Sequence, residues 1–413
     1  MSERYAAFTH ASYQRYFIAR FLAGFAAQIT SMSVAWQMYD ETSSTFLLGM
    51  IGLVQFLPAL LLVFVTGIAA DRIGRRVVMA LSITVEMSCA AMILLMTLTG
   101  QFQPHLVLAI LVLFGCGRAF LAPAAASLVV NLVPEKDFPN AVAWNSSAWQ
   151  AAAIIGPVAG GLLYGISAPT AYITATIMFA IAVGLMVSIP KPNQRKSTTP
   201  VTLETILGGF AFISRQKVVL GAISLDLFAV LLGGAIALLP VYARDILHLG
   251  PMGLGMLKAA PGIGALLMVA VITSMPIRRH AGLIMFSSVG FFGLATAIFG
   301  LSVWPWLSIV ALLGVGAADM ISVYVRSSLL QLWTPDELRG RVNAVNSIFV
   351  SASNELGEFR AGMMATWLGA VPAVALGGAA AIGIAGVWAL LFPRLRQIQR
   401  LESPDDLEAP KSS

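Results

Sequence analysis

Nine charged side chains lie inside long apolar stretches of this chain, where they are candidates for chemistry. A charge at the centre of a membrane helix costs about 2.5–3.5 kcal/mol on insertion scales. Nine such charges without partners would cost on the order of 20–30 kcal/mol, more than the stability of a typical protein. They must therefore pair, exchange protons or line a water-filled cavity. The nine are Glu86, Arg118, Asp226, Lys258, Asp319, Arg326, Glu355, Glu358 and Arg360.

The spacing of the acids and arginines indicates what they do. Asp319 and Arg326 are seven residues apart, which places both on one face of a helix. A buried acid that takes up and releases a proton can couple a proton gradient to the movement of another solute. The alternative is a static ion pair of Asp319 with Arg326 or Arg118 that holds helices in register. The candidates for carrying the proton are Asp226, Asp319, Glu355 and Glu358.

A polar stripe follows one helical face between residues 342 and 368. It must face protein or water, because lipid cannot satisfy polar groups. A packing role, in which Glu358 or Glu355 bonds to Arg360 or to a neighbouring helix, is the alternative to proton transfer. Glu86, alone in its stretch, fits a structural hydrogen-bonding acid, and Lys258 fits a side chain that reaches the membrane surface. The stripe consists of Asn343, Asn346, Ser347, Ser351, Asn354, Glu355 and Glu358.

The elements that position these residues follow from composition. The chain has 413 residues, of which 58% are hydrophobic and 11% charged, with a mean hydropathy of +0.85. A soluble domain would have about 25% charged residues, so an ordinary soluble enzyme, a disordered chain and a disulfide scaffold are excluded. About 20 apolar residues cross a bilayer. The sequence predicts twelve transmembrane helices, at 16–39, 46–70, 77–99, 105–131, 142–166, 169–189, 217–241, 251–276, 282–301, 305–330, 342–368 and 370–393.

The twelve predicted helices divide into two sets of six. A shift of 201 residues places Pro134–Ser146 over Pro335–Ser347, which supports an internal duplication. Parallel six-helix repeats are a known transporter plan, with the substrate site between the halves at mid-membrane. We therefore predict an all-α membrane protein with an N-terminal six-helix bundle at 1–189, a cytoplasmic linker at 190–216, a C-terminal six-helix bundle at 217–393 and a cytoplasmic tail at 394–413. The linker should contain a short surface helix at Leu203–Ser214, and the polar tail should be frayed.

The positions of the 25 Lys and Arg residues predict the orientation. Most fall in segments that share one side of the membrane with both termini, and only Arg244 falls on the other side. Because cytoplasmic loops are enriched in Lys and Arg, both termini should be cytoplasmic, in a bacterial cytoplasmic (inner) membrane. The net charge of +6 is spread over short loops, so it does not require a nucleic-acid partner.

Enzyme and cofactor signals are weak in this sequence. The two cysteines, Cys89 and Cys116, lie in apolar stretches, and the four histidines are scattered towards loops and helix ends. Neither set has the spacing of a metal site, a nucleophile or a disulfide framework. No GxxxxGK[ST] loop for ATP occurs. We expect no catalytic residue, no metal and no cofactor, and we expect energy to come from an ion gradient.

The segment GIAADRIGRR at 67–76 combines a turn-forming glycine with an acid and arginines. Gly74 permits a tight turn, and Asp71 can pair with Arg75 or Arg76. A simple hairpin that obeys the positive-inside rule is the alternative. The pattern closely resembles the GxxxDRxGRR signature of the major facilitator superfamily. The resemblance implies the major facilitator fold and a cytoplasmic clasp between the two halves, formed by Gly67, Asp71, Arg72, Gly74, Arg75 and Arg76.

The segment GPVAGG at 156–161 predicts a kinked helix that packs closely, because proline removes a backbone hydrogen bond and glycines admit a neighbour. Helix packing alone is the alternative to a functional role. The segment also resembles the GPxxGG element of exporters in the superfamily. With Ala119–Ala141 and the RGRV at 339–342, the chain resembles the drug-efflux and enterobactin-exporter branch. The resemblance implies an efflux-type kink at Gly156, Pro157, Gly160 and Gly161.

The resemblance also implies a central cavity lined by the first, fourth, seventh and tenth spans. Arg118 and Asp319 would then face it from opposite halves, with Arg118, Arg326 and Arg360 as charge partners of the acids. An apolar, aromatic cavity with scattered amides suits amphipathic or aromatic cargo. Aromatic side chains that only pack between helices are the alternative. The candidates for lining the substrate cavity are Gln28, Ser31, Trp36, Trp149, Gln150 and Asn354.

We interpret the chain as a secondary active transporter that exports amphipathic or aromatic small molecules, a drug or a siderophore, from the cytoplasm. Exchange for protons by alternating access would provide the energy. The alternative is a uniporter or importer of a metabolite or lysolipid without proton coupling, which would not need the buried acids. The expected partners are a small-molecule substrate, protons and the lipid bilayer, and the expected state is a monomer.

Overall fold

Long helices make up most of the computed structural model, which describes residues 3–191 and 203–402, without the side chains of 3, 63, 64, 67, 68, 70, 71 and 203–207. No strand occurs among these residues, so the all-α prediction is confirmed for them. The helices are α1 Ala11–Thr42, α2 Thr45–Ile73, α3 Arg75–Leu98, α4 Pro104–Val129, α5 Phe138–Ile166, α6 Ala168–Val187, α7 Leu203–Arg215, α8 Lys217–Gly233, α9 Leu239–Val241, α10 Gly250–Ser274, α11 Ala281–Leu301, α12 Pro305–Leu332, α13 Asp336–Leu368, α14 Ala370–Leu391 and α15 Pro393–Arg396.

Eleven of the described helical segments are long and apolar enough to cross a membrane. They include every predicted span except 342–368, which corresponds to α13. With 33 residues, α13 is long enough, since about 20 suffice. Its sequence is too polar, because acids and arginines at its start are followed by the polar stripe and by Glu355, Glu358 and Arg360. A helix of this kind needs protein neighbours rather than lipid along its polar face.

Successive helices are joined by short turns, and the residues in these turns explain why one helix ends and the next begins. Gly74 has φ +107° and is the single residue between α2 and α3, as the predicted tight turn requires. Ser44 caps α2 by accepting a hydrogen bond from the Leu47 amide at 3.3 Å. Ser167 caps α6 in the same way, from Thr170 at 3.2 Å. These caps satisfy amides that the first turn of a helix leaves without partners.

The predicted span 217–241 is not one continuous helix. It ends at Gly233, and Gly234 has extended backbone angles. A 3-10 turn at Ile236–Leu238, α9 and a π-helical turn at Tyr242–Ile246 follow. The two adjacent glycines explain the interruption, since glycine is a poor helix former. Gly233 also has no room for a side chain, because a Cβ there would lie 2.8 Å from the Phe292 ring.

The described residues form two compact units. The first contains the residues up to 191 together with Tyr242–Ala259, and the second contains 203–241 and 260–402. The core of the first unit includes the fully buried Tyr13, Tyr172 and Phe114. The core of the second unit is built around Leu225, Met285, Phe286, Val325, Leu329 and Leu395.

Two short segments pack on the second unit. The predicted surface helix at Leu203–Ser214 is present as α7, and a Cβ at Gly209 would lie 2.7 Å from the Arg341 carbonyl oxygen of α13. The predicted frayed tail differs from the structure where it is described. Leu395 and Ile398 are buried, and the Ala281 amide donates to the Gln399 carbonyl oxygen at 3.2 Å. Apolar residues spaced among the charges of this segment anchor it. Residues 192–202 of the predicted linker and 403–413 of the predicted tail lie outside the described residues.

Candidate transport site

The second unit contains a buried ion pair between two of the predicted site residues. The Arg326 guanidinium of α12 lies 2.8 Å from the Asp226 carboxylate of α8. Both residues are buried, with 4% and 5% of their surfaces exposed. Arg326 Nη1 also donates a 3.3 Å hydrogen bond to Asn346 Oδ1 of the polar stripe on α13. One guanidinium therefore connects three helices, and it brings together Asp226 and Arg326, which are both predicted site residues.

Asp319 is a second acid beside the same guanidinium. It lies two turns before Arg326 on α12 and interacts electrostatically with both Asp226 and Arg326. Arg326 forms its ion pair with Asp226 and not with Asp319 in the described residues. The static pair of Asp319 with Arg326 is therefore not the arrangement seen. The Arg326 guanidinium thus interacts with two carboxylates and forms an ion pair with one of them, that of Asp226.

Two polar atoms of this cluster have no partner among the described residues. Arg326 Nε and Ser322 Oγ are both buried without a hydrogen bond. Ser322 lies between Asp319 and Arg326 on the same face of α12. A buried donor without an acceptor costs about 1–3 kcal/mol. The cluster therefore has unused hydrogen-bonding capacity next to its second acid.

The charged residues of the first unit are arranged differently. Arg118 is exposed on α4, and its Nη1 donates a 3.4 Å hydrogen bond to Gln55 Oε1 of α2. Glu86 on α3 is 1% exposed, and neither of its carboxylate oxygens has a hydrogen-bond partner among the described residues. The prediction that Glu86 is a hydrogen-bonding structural acid is therefore wrong. Its side chain packs against the backbone of α4, since a Cβ at Gly117 would lie 3.2 Å from Glu86 Cγ.

Arg360 contacts the interrupted end of α8. Its Nε donates to the Leu231 carbonyl oxygen at 2.8 Å, and its Nη2 donates to the Gly234 carbonyl oxygen at 3.3 Å. The last carbonyls of a helix lack intrahelical donors and carry negative partial charge. A cation is favourable there, so Arg360 stabilises the interruption that the glycine pair creates. Glu355 and Glu358, half-buried on the same helix, also have interaction partners in the structure.

The arginines of the 67–76 segment hold helices of the first unit together. Arg75 Nη1 donates to the Ser127 carbonyl oxygen of α4 at 2.9 Å. Arg76 Nη1 donates to the Ile189 carbonyl oxygen just after α6. Arg72 is exposed. The side chains of Gly67 and Asp71 lie outside the described residues, so the acid of the predicted clasp has no described contact.

The GPVAGG segment of α5 is packed tightly on two sides. On one side, a Cβ at Gly160 would lie 3.2 Å from Ile29 Cα of α1, and one at Gly156 would lie 2.5 Å from Gln28 Cβ. On the other side, a Cβ at Gly161 would lie 2.5 Å from the Pro251 carbonyl oxygen of α10, within the first unit. A Cβ at Gly255 of α10 would likewise lie 2.5 Å from the Pro157 carbonyl oxygen. Because these glycines have no side chain, α1 and α10 can both pack closely against the same stretch of α5.

Sequence reasoning missed a charged cluster where α1 ends. Arg244 Nε lies 3.3 Å from Asp40 Oδ1, and Arg244 Nη1 donates to the Tyr39 carbonyl oxygen at 3.0 Å. The Tyr39 hydroxyl donates to Asp245 Oδ2 at 2.5 Å. All four residues belong to the first unit, although Arg244 and Asp245 come from the second half of the sequence. The available signal was Arg244, the single loop cation that the sequence prediction places on the side of the membrane opposite the termini.

The predicted substrate-cavity residues differ widely in exposure. Trp36 is buried with 7% of its surface exposed, whereas Trp149 is 50% exposed and Asn354 is also exposed. Gln28 is half-buried against Gly156. Ser31 and Gln150 are half-buried. Trp149 is the one member that lines a cleft between α1 and α5 with Arg20 and Asn145, neither of which was predicted.

The comparison with known families decides the class of protein. A family model described as transmembrane secretion effector, of major facilitator type, matches residues 2–412. The chain belongs to this family. Among the described residues, no group of three or more His, Cys, Asp or Glu side chains is placed to hold a metal ion. Membership of this family makes the chain a transporter.

Similar proteins extend over nearly the whole transporter. Enterobactin exporter EntS of Shigella boydii serotype 4 is 26% identical over 422 residues, which cover 98% of this chain and 97% of that protein. The protein of the same name from Citrobacter koseri is 25% identical over 413 residues, which cover 96% of this chain and 94% of that protein. The predicted resemblance to the enterobactin-exporter branch is confirmed.

Solved structures establish the fold. A POT family transporter in complex with 5-aminolevulinic acid has a TM-score of 0.72 at 14% identity, with 94% of this chain and 97% of that chain covered. A bacterial homolog of the human lysosomal transporter Spinster has a TM-score of 0.70 at 14% identity, with 96% and 97% covered. The predicted major facilitator fold is confirmed, and this protein is a multi-pass membrane transporter.

Proposed function

We propose that this transporter exports an amphipathic or aromatic small molecule, of siderophore or drug type, from the cytoplasm in exchange for protons. The observation that carries the proposal is the similarity to enterobactin exporters over 98% of the chain, since it includes both units. A match of this extent favours a shared direction of transport. The buried acids that a uniporter would not need favour exchange for protons.

We infer that Asp226 and Asp319 form the coupling site with Arg326. One guanidinium beside two carboxylates can neutralise one of them fully, and the other then gains from binding a proton. In the described arrangement Arg326 holds Asp226 at 2.8 Å, so Asp319 is the acid that binds the proton. A shift of Arg326 towards Asp319 would release that proton and leave Asp226 to bind the next. The partnerless Arg326 Nε and Ser322 Oγ provide hydrogen bonds for the second arrangement.

The energy of such an exchange is sufficient for export. One proton that crosses a membrane potential of ~100 mV releases about 2.3 kcal/mol. That free energy sustains a roughly 50-fold gradient of a neutral cargo. Glu355 and Glu358 are secondary candidates for the same role, because they are half-buried on the polar stripe.

The proposed transport cycle is alternating access by two six-helix bundles, 1–189 and 217–393, in the bacterial inner membrane. Both termini are cytoplasmic in this proposal, and the transporter acts as a monomer. The Arg244 cluster with Tyr39, Asp40 and Asp245 would then lie at the non-cytoplasmic end, where it joins residues from both sequence halves. We assign it the closing of the exit path. Residues 67–76 act at the cytoplasmic end, and the kink at Gly156–Gly161 allows α5 to pack against α1 and α10.

The test is transport by the full-length protein reconstituted in vesicles. An imposed pH gradient should drive uptake of a catecholate siderophore or a cationic drug against its concentration gradient. Asp226→Asn and Asp319→Asn should abolish this proton-driven transport, since an amide keeps the size but cannot exchange a proton. Both variants should remain folded by size-exclusion chromatography in detergent. Asp336→Asn, an exposed acid paired with Arg339 at 2.9 Å, is the matched control and should transport normally.

Two other outcomes of this transport experiment would contradict the proposal. Flux that only follows the cargo gradient, without proton movement, would establish a uniporter or importer of a metabolite or lysolipid instead. Normal proton-driven rates in both Asp→Asn variants would exclude these acids as the coupling site.

A further inference from the structure

We propose that an arginine patch at one end of the second unit binds the headgroup of an anionic phospholipid. The patch consists of Arg278 and Arg279, in the loop between α10 and α11, and of Arg394, Arg396 and Arg400, in the segment after α14. All five side chains are exposed. The proposal goes beyond the export function, since a lipid site requires neither a particular cargo nor exchange for protons.

Backbone contacts bring the two parts of the patch together, although they are distant in the sequence. The Ala281 amide donates to the Gln399 carbonyl oxygen at 3.2 Å, and the Gly282 amide donates to the Ile398 carbonyl oxygen at 3.0 Å. A Cβ at Gly282 would lie 2.9 Å from the Arg396 carbonyl oxygen, so a side chain at this position would prevent the approach. The loop arginines directly precede Ala281 and therefore lie beside the later segment.

Apolar side chains fix both segments of the patch on the second unit. Leu395 is fully buried and Ile398 is nearly so, and both belong to the core of this unit. Ile277, directly before the loop arginines, packs against the same core. Trp333 Nε1 donates to the Glu402 carbonyl oxygen at 3.2 Å, just after the last arginine of the patch. The backbone of the patch is thus ordered before a ligand binds, which lowers the entropic cost of binding.

Four of the five arginines have no acidic partner. Arg400 Nη1 lies 3.4 Å from Glu402 Oε1, whereas the other four form no ion pair among the described residues. The sequence explains this, because no acid occurs between Asp245 and Asp319 or between Glu358 and Glu402. The positive charge of the patch is therefore available to an anion from outside the protein.

The first unit uses the arginines of a comparable loop differently. Arg75 and Arg76 follow α2 and donate to backbone carbonyl oxygens at the end of α4 and just after α6. These arginines hold helices of the protein together. Arg278 and Arg279 follow α10 and make no such hydrogen bond among the described residues. The loop of the second unit thus presents its guanidinium groups outward.

Exposed apolar side chains border the patch. Met275, just before the loop arginines, is 75% exposed, and Leu390, just before Arg394, is also 75% exposed. Leu283 and Leu391 are likewise exposed. In a membrane protein such side chains contact acyl chains, so the arginines lie where the lipid-facing surface ends. A phospholipid matches this arrangement, because its phosphate lies directly above its acyl chains.

The charge of the patch determines which phospholipid fits. A guanidinium forms charge-assisted, often bidentate hydrogen bonds to a phosphate. Attraction to a membrane surface of anionic lipids contributes roughly a 5-fold gain in affinity per arginine. A zwitterionic headgroup adds a cation that the arginines repel. The patch should therefore select a headgroup with a net negative charge, such as phosphatidylglycerol.

The experiment measures lipid binding to the full-length protein by native mass spectrometry. The probes are phosphatidylglycerol and phosphatidylcholine with the same acyl chains, added to protein purified in detergent. Wild type should bind phosphatidylglycerol at least about 10-fold tighter than phosphatidylcholine, as two or more arginines at roughly 5-fold each would produce. Arg278→Gln combined with Arg279→Gln should weaken phosphatidylglycerol binding by about 10- to 30-fold and leave phosphatidylcholine binding unchanged.

Two further variants test both halves of the patch and its specificity. Arg394→Gln combined with Arg396→Gln should have the same effect as the loop variant, since the two segments form one site. Arg339→Gln is the matched control, because Arg339 is exposed but already paired with Asp336 at 2.9 Å. It should bind phosphatidylglycerol as wild type does. All of these changes are at exposed positions, so the unfolding temperature should stay at the wild-type value.

Three results would overturn the proposal. The first is equal affinity of wild type for the two lipids, and the second is unchanged phosphatidylglycerol binding in both double variants. The third is displacement of phosphatidylglycerol by glycerol phosphate, an oligonucleotide or an acidic peptide at equal concentration, which would show a site for soluble anions instead. None of these measurements depends on cargo transport, so they leave the test of the export function separate.

Discussion

In the second unit the buried carboxylate of Asp226 has a guanidinium 2.8 Å away, whereas in the first unit the buried carboxylate of Glu86 has no hydrogen-bond partner among the described residues. The second unit also places another acid, Asp319, beside the same guanidinium. The nearest equivalent in the first unit, Arg118, is exposed and contacts Gln55 instead. The buried acid thus forms a direct ion pair in the second unit, whereas in the first unit it interacts electrostatically with Arg118 but makes no hydrogen bond among the described residues. This difference is the reason why we propose the second unit as the place of proton coupling.

The same contrast holds for α5 and α13, which correspond under the 201-residue shift of the sequence. The backbone of α5 is approached closely at Gly156, Gly160 and Gly161 by α1 and α10. Polar side chains hold α13 in place, through Asn346 on Arg326 and Arg360 on the end of α8. Close glycine packing occurs in both helices, since a Cβ at Gly357 of α13 would lie 2.9 Å from the Val230 carbonyl oxygen of α8. The second unit adds contacts of charged and polar side chains to this packing.

The largest effect is expected where buried charge is paired. Arg326→Met should destabilise the transporter by about 3–5 kcal/mol, because it leaves Asp226 as an uncompensated buried charge. The measurement is thermal unfolding in detergent, followed by intrinsic fluorescence. The double variant Asp226→Leu with Arg326→Met should recover most of that loss, since removal of both charges is close to neutral. A double variant as unstable as Arg326→Met would show that the pair is not the source of the effect.

An intermediate effect is expected where the first unit depends on shape. Gly161→Ala should destabilise by about 1–3 kcal/mol, because the added Cβ would lie 2.5 Å from the Pro251 backbone oxygen and force α5 and α10 apart. Gly165→Ala on the same helix is the control, as nothing lies within 4 Å of its Cβ position. The control should be neutral or slightly stabilising, because alanine favours a helix. Equal unfolding temperatures for the two variants would contradict close packing at Gly161.

The smallest effect is expected at Glu86, the buried acid that makes no hydrogen bond among the described residues. Glu86→Gln should leave proton-driven transport within about 2-fold of wild type and should change stability by less than about 1 kcal/mol. The amide has the same size, and neither carboxylate oxygen makes a hydrogen bond among the described residues that the change would break. The measurement is the same vesicle assay. If Glu86→Gln abolished transport as completely as we expect for Asp319→Asn, the contrast between the two units would be wrong.

Local sequence signals predicted much of the fold. The length of the apolar segments predicted the membrane helices, and Gly74 predicted the tight turn between α2 and α3. Both features depend on residues that are neighbours in the chain. The buried charges identified Asp226 and Arg326 as site residues, because lipid does not tolerate unpaired charge, but the ion pair expected for Arg326 was with Asp319.

Contacts between distant segments were predicted poorly. The glycine pair 233–234 was visible in the sequence, but the Phe292 ring that excludes a side chain there comes from another helix. Arg360 was expected to balance an acid and instead contacts carbonyls that exist only because α8 stops.

The most direct test of the account is the number of protons released when cargo binds. A pH indicator in weakly buffered solution would report release from purified wild type, Asp319→Asn and Glu86→Gln upon addition of a catecholate siderophore. The account predicts release from wild type and Glu86→Gln and none from Asp319→Asn. Equal release from all three proteins would contradict the assignment of proton coupling to the Asp226–Arg326–Asp319 cluster.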